Sequence, residues 1–303
     1  MASAPPTSTP TPTPTPTPTL LTLPAELRNQ IYLHVFAAAP AHPRPASPPS
    51  LDVSQDLPTR WSYCIQASPS PPTIDNNLQI LLTSRQIHTE ASLLALSLIT
   101  FTVPANCTYP EPFTWLLHPL SASQIASLRH FVLGAKISSL RALNEAWRGL
   151  PFGHAGLRLD TLTVVPSRPE RYYGAYAEVA DLSQSHTLAY ILGETFKSLR
   201  NVRRVRVVNA GYFRDVLWRL VYRSLVYRIW RWGGSNCGLG FCEGGDLEGE
   251  EGQCWFDVWL GDEDRWEDGV VGCGKELRRL LGDEAEDAPN TVAGDGHGDI
   301  DAV

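Results

Sequence analysis

LRHFVL (residues 128–133), LDTLTV (159–164) and VRRVRV (202–207) repeat one pattern, apolar-x-x-apolar-x-apolar. Successive side chains of a strand point to opposite faces, so each piece predicts a half-buried strand. Their starts lie 31 and 43 residues apart, which leaves room for a helix in each interval. Candidate helices fill that room. One at about 138–149 carries Leu140, Leu143, Trp147 and Leu150 on one face, with Gly149 near its end, and one at about 183–199 groups Leu188, Ile191, Leu192 and Phe196. Strands separated by helices pair in parallel, because a parallel connection needs a crossover. The expectation is an α/β (or α+β) fold, a parallel or mixed sheet with flanking helices. A degenerate leucine-rich-repeat-like arc is the alternative, although such repeats recur every ~20–29 residues.

Downstream, GYFRDVLWRLVYRSLVYRIWRW (211–232) is the longest helix candidate. Leu217, Trp218, Val221, Leu225, Ile229 and Trp232 fall on one arc at helical spacing, and Arg219, Arg223 and Arg231 fall outside it. GGSNCGLGFCEGG (233–245) reads as a Gly-rich loop, and CWFDVWL (254–260) as a last strand of the domain 105–260. Residues 261–303 read as an acidic, mostly disordered tail.

Upstream, PPTSTPTPTPTPTPT (5–19) lies in a tail, 1–19, of fixed φ and few backbone donors, which predicts disorder tending to polyproline II. Its Thr-Pro pairs could take a proline-directed kinase or a Pro-recognising groove. LLTLPAELRNQIYLHVF (20–36) has Leu23, Leu27, Ile31 and Val35 every four residues, with Thr22 as N-cap and Pro24 in the first turn. A Pro-rich insertion spans 37–77, with a strand-like WSYCIQAS (61–68) inside it. NNLQILLTSRQIHTEASLLALSLITFTV (76–103) follows, a helix with Ile87, Ala91, Leu94 and Leu98 on one face. It starts at Asn76 or Asn77, or at a Thr83–Gln86 capping box, and ends in a short strand before Pro104.

The 303 residues are 43% hydrophobic and 19% charged, enough apolar surface for a core and too much for a wholly disordered chain. No apolar run reaches the ~18 residues of a membrane span. The net charge of −7 is uneven: residues 243–303 hold 19 acids against 4 bases, and residues 1–242 hold 13 acids against 21 bases. The opening MASAPPTSTP lacks the basic start and apolar run of a secretory signal, so an intracellular home, cytoplasm or nucleus, is expected. The six cysteines, Cys64, Cys107, Cys237, Cys242, Cys254 and Cys273, form no CxxC and then read as scattered reduced thiols.

No HExxH, GxSxG or GxxxxGK[ST] occurs, and Glu243 stands where a dinucleotide loop wants its third glycine. DGHGD (295–299) lacks calcium-loop spacing. No cofactor, metal or catalytic residue is expected, and the chain reads as a non-enzyme; an unrecognised enzyme is the last of the readings. The sharpest electrostatic feature is the run of nine arginines between Arg200 and Arg231 against the single acid Asp215. Arg203, Arg204, Arg206, Arg219, Arg223 and Arg231 are the candidate polyanion or partner face, which makes a nucleic-acid-binding module the alternative function. The other reading of that face is solvated, or paired with the acidic tail.

Two stretches, LTLPAELRNQIY (21–32) and LLTSRQIHTEA (81–91), read together, resemble an F-box-like family of mostly uncharacterised filamentous-fungal proteins, with Ser84 where that family usually has Cys. The resemblance implies an F-box-like helical module over 20–104, interrupted here by the insertion. It implies that Leu23, Pro24, Leu27 and Ile31 dock on the Skp-type adaptor of a cullin–RING ubiquitin ligase while the rest of the chain recruits a target. The competing expectation is structural: Leu27 and Ile31 pack on Ile87, Ala91 and Leu94, and Glu26, Arg28, Arg85 and Glu90 clamp the two helices. The leading function is a non-enzymatic protein-protein interaction protein, without a membrane partner.

Overall fold

The computed structural model describes residues 19–37, 78–167, 177–233, 237–244, 254–261 and 263–287. The Thr-Pro run, the strand-like 61–68 and DGHGD lie outside them. Seven strands form one mixed sheet in the order β1-β2-β3-β4-β6-β5-β7: β1 Thr100–Val103, β2 His130–Lys136, β3 Leu159–Ser167, β4 Val202–Val208, β5 Leu239–Gly244, β6 Trp255–Leu260 and β7 Val271–Gly272. The first four are parallel in chain order; for β2, β3 and β4 this is the pairing their spacing predicts, and β1 adds a parallel edge strand beside β2. The last three pair antiparallel, so the sheet is not a uniform repeat arc.

One face of the sheet carries Phe131, Leu133, Leu162, Val164, Val205, Val207, Phe256 and Val258, all buried. The helices pack there. Phe113 of α3 (Pro110–Leu117) meets Phe131 edge-on at 6.0 Å. α7 (Ala177–Ser198) buries Leu188, Ile191, Leu192 and Phe196 in the same core. From α8 (Asp215–Gly233), Trp218 and Tyr222 lie 5.2 and 5.1 Å from Phe256. The other face aligns Thr102, Val132, Thr163, Arg206, Asp257 and Cys242 in one row across β1, β2, β3, β4, β6 and β5.

Several boundaries differ from expectation. The opening helix is not capped by Thr22 and does not hold Pro24 in its first turn: Leu20–Thr22 is one 3-10 turn, Leu23 is extended, and α1 runs Ala25–Ala37. Pro24 disfavours the helical region for the residue before it. α2 (Arg85–Leu98) is capped by Ser84, whose hydroxyl accepts from the Gln86 amide at 3.2 Å, and not by a Thr83–Gln86 box. A short α4 (Ala122–Ser127), opened by a Ser121–Gln124 capping box, precedes β2. The helix expected at 138–149 is two single turns, α5 (Ile137–Leu140) and α6 (Ala142–Glu145), although Leu140, Leu143 and Trp147 are buried as foreseen. α8 starts at Asp215 because the Asn209 side chain bonds both the Phe213 amide and its carbonyl, closing residues 209–213 into a turn. Trp232, expected on the buried arc, is 67% exposed in the last turn of α8.

Two readings of the C-terminal part are corrected. The Gly-rich loop contains β5, with Leu239 and Phe241 buried. Gly240 lets Trp266 and Val270 lie against the strand, since a Cβ there would sit 2.9 and 2.4 Å from them. Within the tail, α9 spans Cys273–Asp287. Cys273, Glu276, Leu277 and Leu280 recur at i, i+3, i+4 and i+7 and are buried, so the segment is an amphipathic helix docked on the body. The Tyr222 hydroxyl donates to Glu276 Oε1 at 2.7 Å, and Arg279 Nη2 bonds Glu276 and Glu243.

Candidate functional site

The two stretches that resemble the F-box-like family form adjacent helices. Arg28, Tyr32 and Phe36 recur every four residues along α1 and so share one face. Arg28 reaches Glu90 of α2 through two hydrogen bonds, Nε–Oε2 at 2.9 Å and Nη2–Oε1 at 2.7 Å, and also donates to the Leu23 carbonyl. Gln86 Nε2 donates to Glu90 Oε1 at 2.9 Å, and the Tyr32 hydroxyl lies 3.5 Å from Oε2. The Arg28 hydrogen bonds, and after them that of Gln86, hold the Glu90 carboxyl below the usual carboxylate range. The same bonds raise Arg28. Burial is the main cause that pushes the Tyr32 phenol up.

Tyr32 and Phe36 are fully buried in one cluster with Ile87 and Ala91, with half-buried Leu94 packed against it. The face turned to α2 is therefore the arginine–aromatic stripe and not the leucine–isoleucine stripe. The two stripes are one residue out of phase, and two aromatic rings remove more apolar area from water than Leu27 and Ile31 would. Leu27 is 46% exposed, Pro24 is exposed, and Leu23 and Ile31 are half-buried. Leu21 adds a side chain 39% exposed at the same end. Glu26 and Arg85 are exposed and stand outside the Arg28–Glu90 network, so the clamp is one ion pair with side-chain support.

The six arginines of the candidate polyanion face do not form one face. Arg204 and Arg206 lie on the sheet side opposite α8. Arg206 grips Asp257 through Nε at 2.8 Å and Nη2 at 2.9 Å, and lies 4.2 Å over the Trp255 ring. Arg204 donates to Thr161 Oγ1 at 3.1 Å, stands 3.8 Å from Asp257 and 3.7 Å from Glu267, and stacks on Trp259 at 5.2 Å. The buried Arg204 Nε finds no hydrogen-bond partner among the described residues. Asp257 raises the Arg206 guanidinium further into its charged form. His130, opposite Thr161 in the sheet, is held below its ordinary value by burial, which outweighs the attraction of Asp160. Arg203 is exposed on β4, its guanidinium also 5.2 Å over Trp259. Arg219 and Arg231 are exposed on α8, and Arg223 is half-buried there.

Sequence reading missed the partners that organise this side of the molecule, Asp257, Trp255 and Trp259. The alternation of β6 was legible, and it already set these three on one face against Phe256, Val258 and Leu260. What it could not supply was the neighbouring strand. Among the described residues, no group of three or more His, Cys, Asp or Glu side chains could hold a metal ion, and no helix is long and apolar enough to cross a membrane. No family model, curated protein or solved structure matches the chain.

Proposed function

We propose that this is a non-enzymatic receptor of the F-box-like kind: α1 docks on a Skp-type adaptor of a cullin–RING ubiquitin ligase, and the sheet domain holds the protein to be presented. One observation carries the reading. The core uses Arg28, Tyr32 and Phe36 of α1, which leaves Leu23, Pro24, Leu27 and Ile31 as a neighbouring apolar side with Leu27 46% exposed. The bidentate Arg28–Glu90 pair fixes the pose of that side on the body, so little ordering entropy is lost on docking. The test is retention of the full chain on immobilised adaptor at micromolar concentration. Retention is expected, with loss in Leu27→Asp at unchanged far-UV circular dichroism. Absence of retention of the parent chain rejects the reading.

A second reading has its own observation. α8 exposes Arg219 and Arg231 together with Tyr227, Trp230 and Trp232, the mixture of cations and rings that phosphates and bases favour. A single-stranded oligonucleotide would then bind with an affinity that falls steeply with salt and with Arg219→Glu. Salt-independent or undetectable binding removes it.

A further inference from the structure

Four arginines from distant parts of the sequence gather at one end of the sheet. Arg129 precedes β2, Arg158 precedes β3, Arg200 shortly precedes β4, and Arg148 lies beside Gly149 in the loop after α6. Backbone hydrogen bonds tie these approaches side by side. The Arg200 amide donates to the Gly149 carbonyl at 2.7 Å, the Leu159 amide to the Asn201 carbonyl at 2.8 Å, and the Asp160 amide to the Arg129 carbonyl at 2.9 Å. Arg129 Nη1 donates to the Arg158 carbonyl at 2.7 Å. Arg148 and Asn201 sit at φ 51° and 61°, a left-handed backbone that the surrounding bonds hold in place. The side chains of Arg148, Arg158 and Arg200 are exposed, and among the described residues no carboxylate pairs with them. The acid of this rim is Asp160, 3.9 Å from Arg129 Nε. The acidic stretch 245–253 does not start nearby: Gly244 and Trp255, which flank it in sequence, pair at the opposite end of the sheet, beside Val208.

We propose that this rim docks an acidic segment of a partner protein, an extended stretch with carboxylates at alternate positions. The strands β2, β3 and β4 are neighbours, so the rim spans about 10 Å. Alternate side chains of an extended peptide share one side and recur every ~7 Å, so two or three carboxylates match that span. The planar arginine fork takes a carboxylate through two parallel hydrogen bonds, which makes arginine the cation suited to such a segment. A nucleic-acid strand fits less well. The rings that belong to the rim, Trp147 and Phe152, are buried and offer no platform for bases. Glu263, Asp264, Glu267 and Asp268 follow β6 at the same end, and Glu267 stands 3.7 Å from Arg204, so acids bound the rim on that side and repel a long polyanion. The rim is separate from the α1 surface and does not depend on adaptor docking.

The full chain is titrated into a fluorescein-labelled peptide of alternating Glu and Ser, read by fluorescence anisotropy at low salt. The matching Gln-Ser peptide and an oligothymidylate of equal charge serve as comparisons. Binding of the glutamate peptide is expected, with none of the glutamine peptide and weaker binding of the oligonucleotide. Arg158→Glu and Arg200→Glu should each lower the affinity about fivefold at unchanged far-UV circular dichroism, and together by more. Arg158→Gln, which removes a charge without adding repulsion, should give a smaller loss. Arg219→Glu on α8 and Leu27→Asp on α1 should leave the affinity as it is. Absence of binding by the parent chain, affinity unmoved by the rim variants, an equal loss in Arg219→Glu or Leu27→Asp, or tighter binding of the oligonucleotide overturns the proposal.

Discussion

Arg206 and Asp257 stand opposite one another in the β4–β6 register and are joined by two hydrogen bonds, 2.8 and 2.9 Å, at the seam where the sheet turns from parallel to antiparallel. Asp257 is 3% exposed, so its charge depends on that guanidinium for compensation. Removing one member of such a pair leaves a buried charge, while removing both with apolar replacements is far cheaper. Arg206→Ala should lower stability by about 3 kcal/mol, and Arg206→Met with Asp257→Leu by clearly less than the sum of the single changes. Urea denaturation of the parent, Arg206→Ala, Arg206→Met, Asp257→Leu and the double variant checks this; additive losses in the last three contradict it.

Glu90 accepts from Arg28, Gln86 and Tyr32, so its removal frees α1 before it disturbs the sheet. Glu90→Ala should speed amide hydrogen exchange over 25–37 and leave β2, β3 and β4 protected. The same contact carries a pH signature. A carboxyl held below its ordinary value contributes stability that is present above about pH 4.3 and fades as pH falls through the lowered value. Acid should therefore loosen α1 in the parent chain, and Glu90→Gln should remove that dependence.

Tyr222→Phe deletes one donor to a carboxylate that is 3% exposed, leaving Arg279 as its partner among the described residues. The cost should be about 1.5 kcal/mol. It should fall on the docking of α9, seen as faster tryptic cleavage after Arg278. Cleavage at the parent rate would show that Tyr222 does not hold the helix.

Gly149 sits at φ +80°, and a Cβ there would lie 2.5 Å from the Ser198 carbonyl oxygen at the end of α7. The Arg200 amide also donates to the Gly149 carbonyl at 2.7 Å, so the backbone cannot retreat without breaking that bond. Gly149→Ala should destabilise by about 2 kcal/mol, from left-handed strain and crowding together. An unchanged melting temperature would contradict it.

His130 is held below its ordinary value, chiefly by burial. The unfolded chain binds a proton near pH 6.5 that the folded chain refuses, so stability should fall as pH drops through that value toward the lowered one. His130→Gln should flatten this part of the profile. Identical pH profiles for parent and variant would exclude the residue as the source.

The short-range part of this architecture was written in periodicity. Alternation marked β2, β3, β4 and β6, and the intervals between the first three required crossovers. α9 was equally legible, since Cys273, Glu276, Leu277 and Leu280 keep helical spacing, but the surrounding acids masked it when the tail was read by charge alone. Two-residue β7 and the single-turn α5 and α6 carry too few residues for any period to register.

Composition and periodicity by themselves determined that this chain alternates strand and helix, that the strands at 128–133, 159–164 and 202–207 would pair in parallel, and that two helices flank a proline-rich interval. Only the tertiary structure decided which stripe of α1 is buried, because that choice depends on the rings of Tyr32 and Phe36 finding a partner helix at Ile87 and Ala91. It also decided that the arginines part to opposite sides of the sheet. Each of these is a contact across long sequence separation, and local sequence encodes the propensity of a segment but not the identity of the surface it will meet.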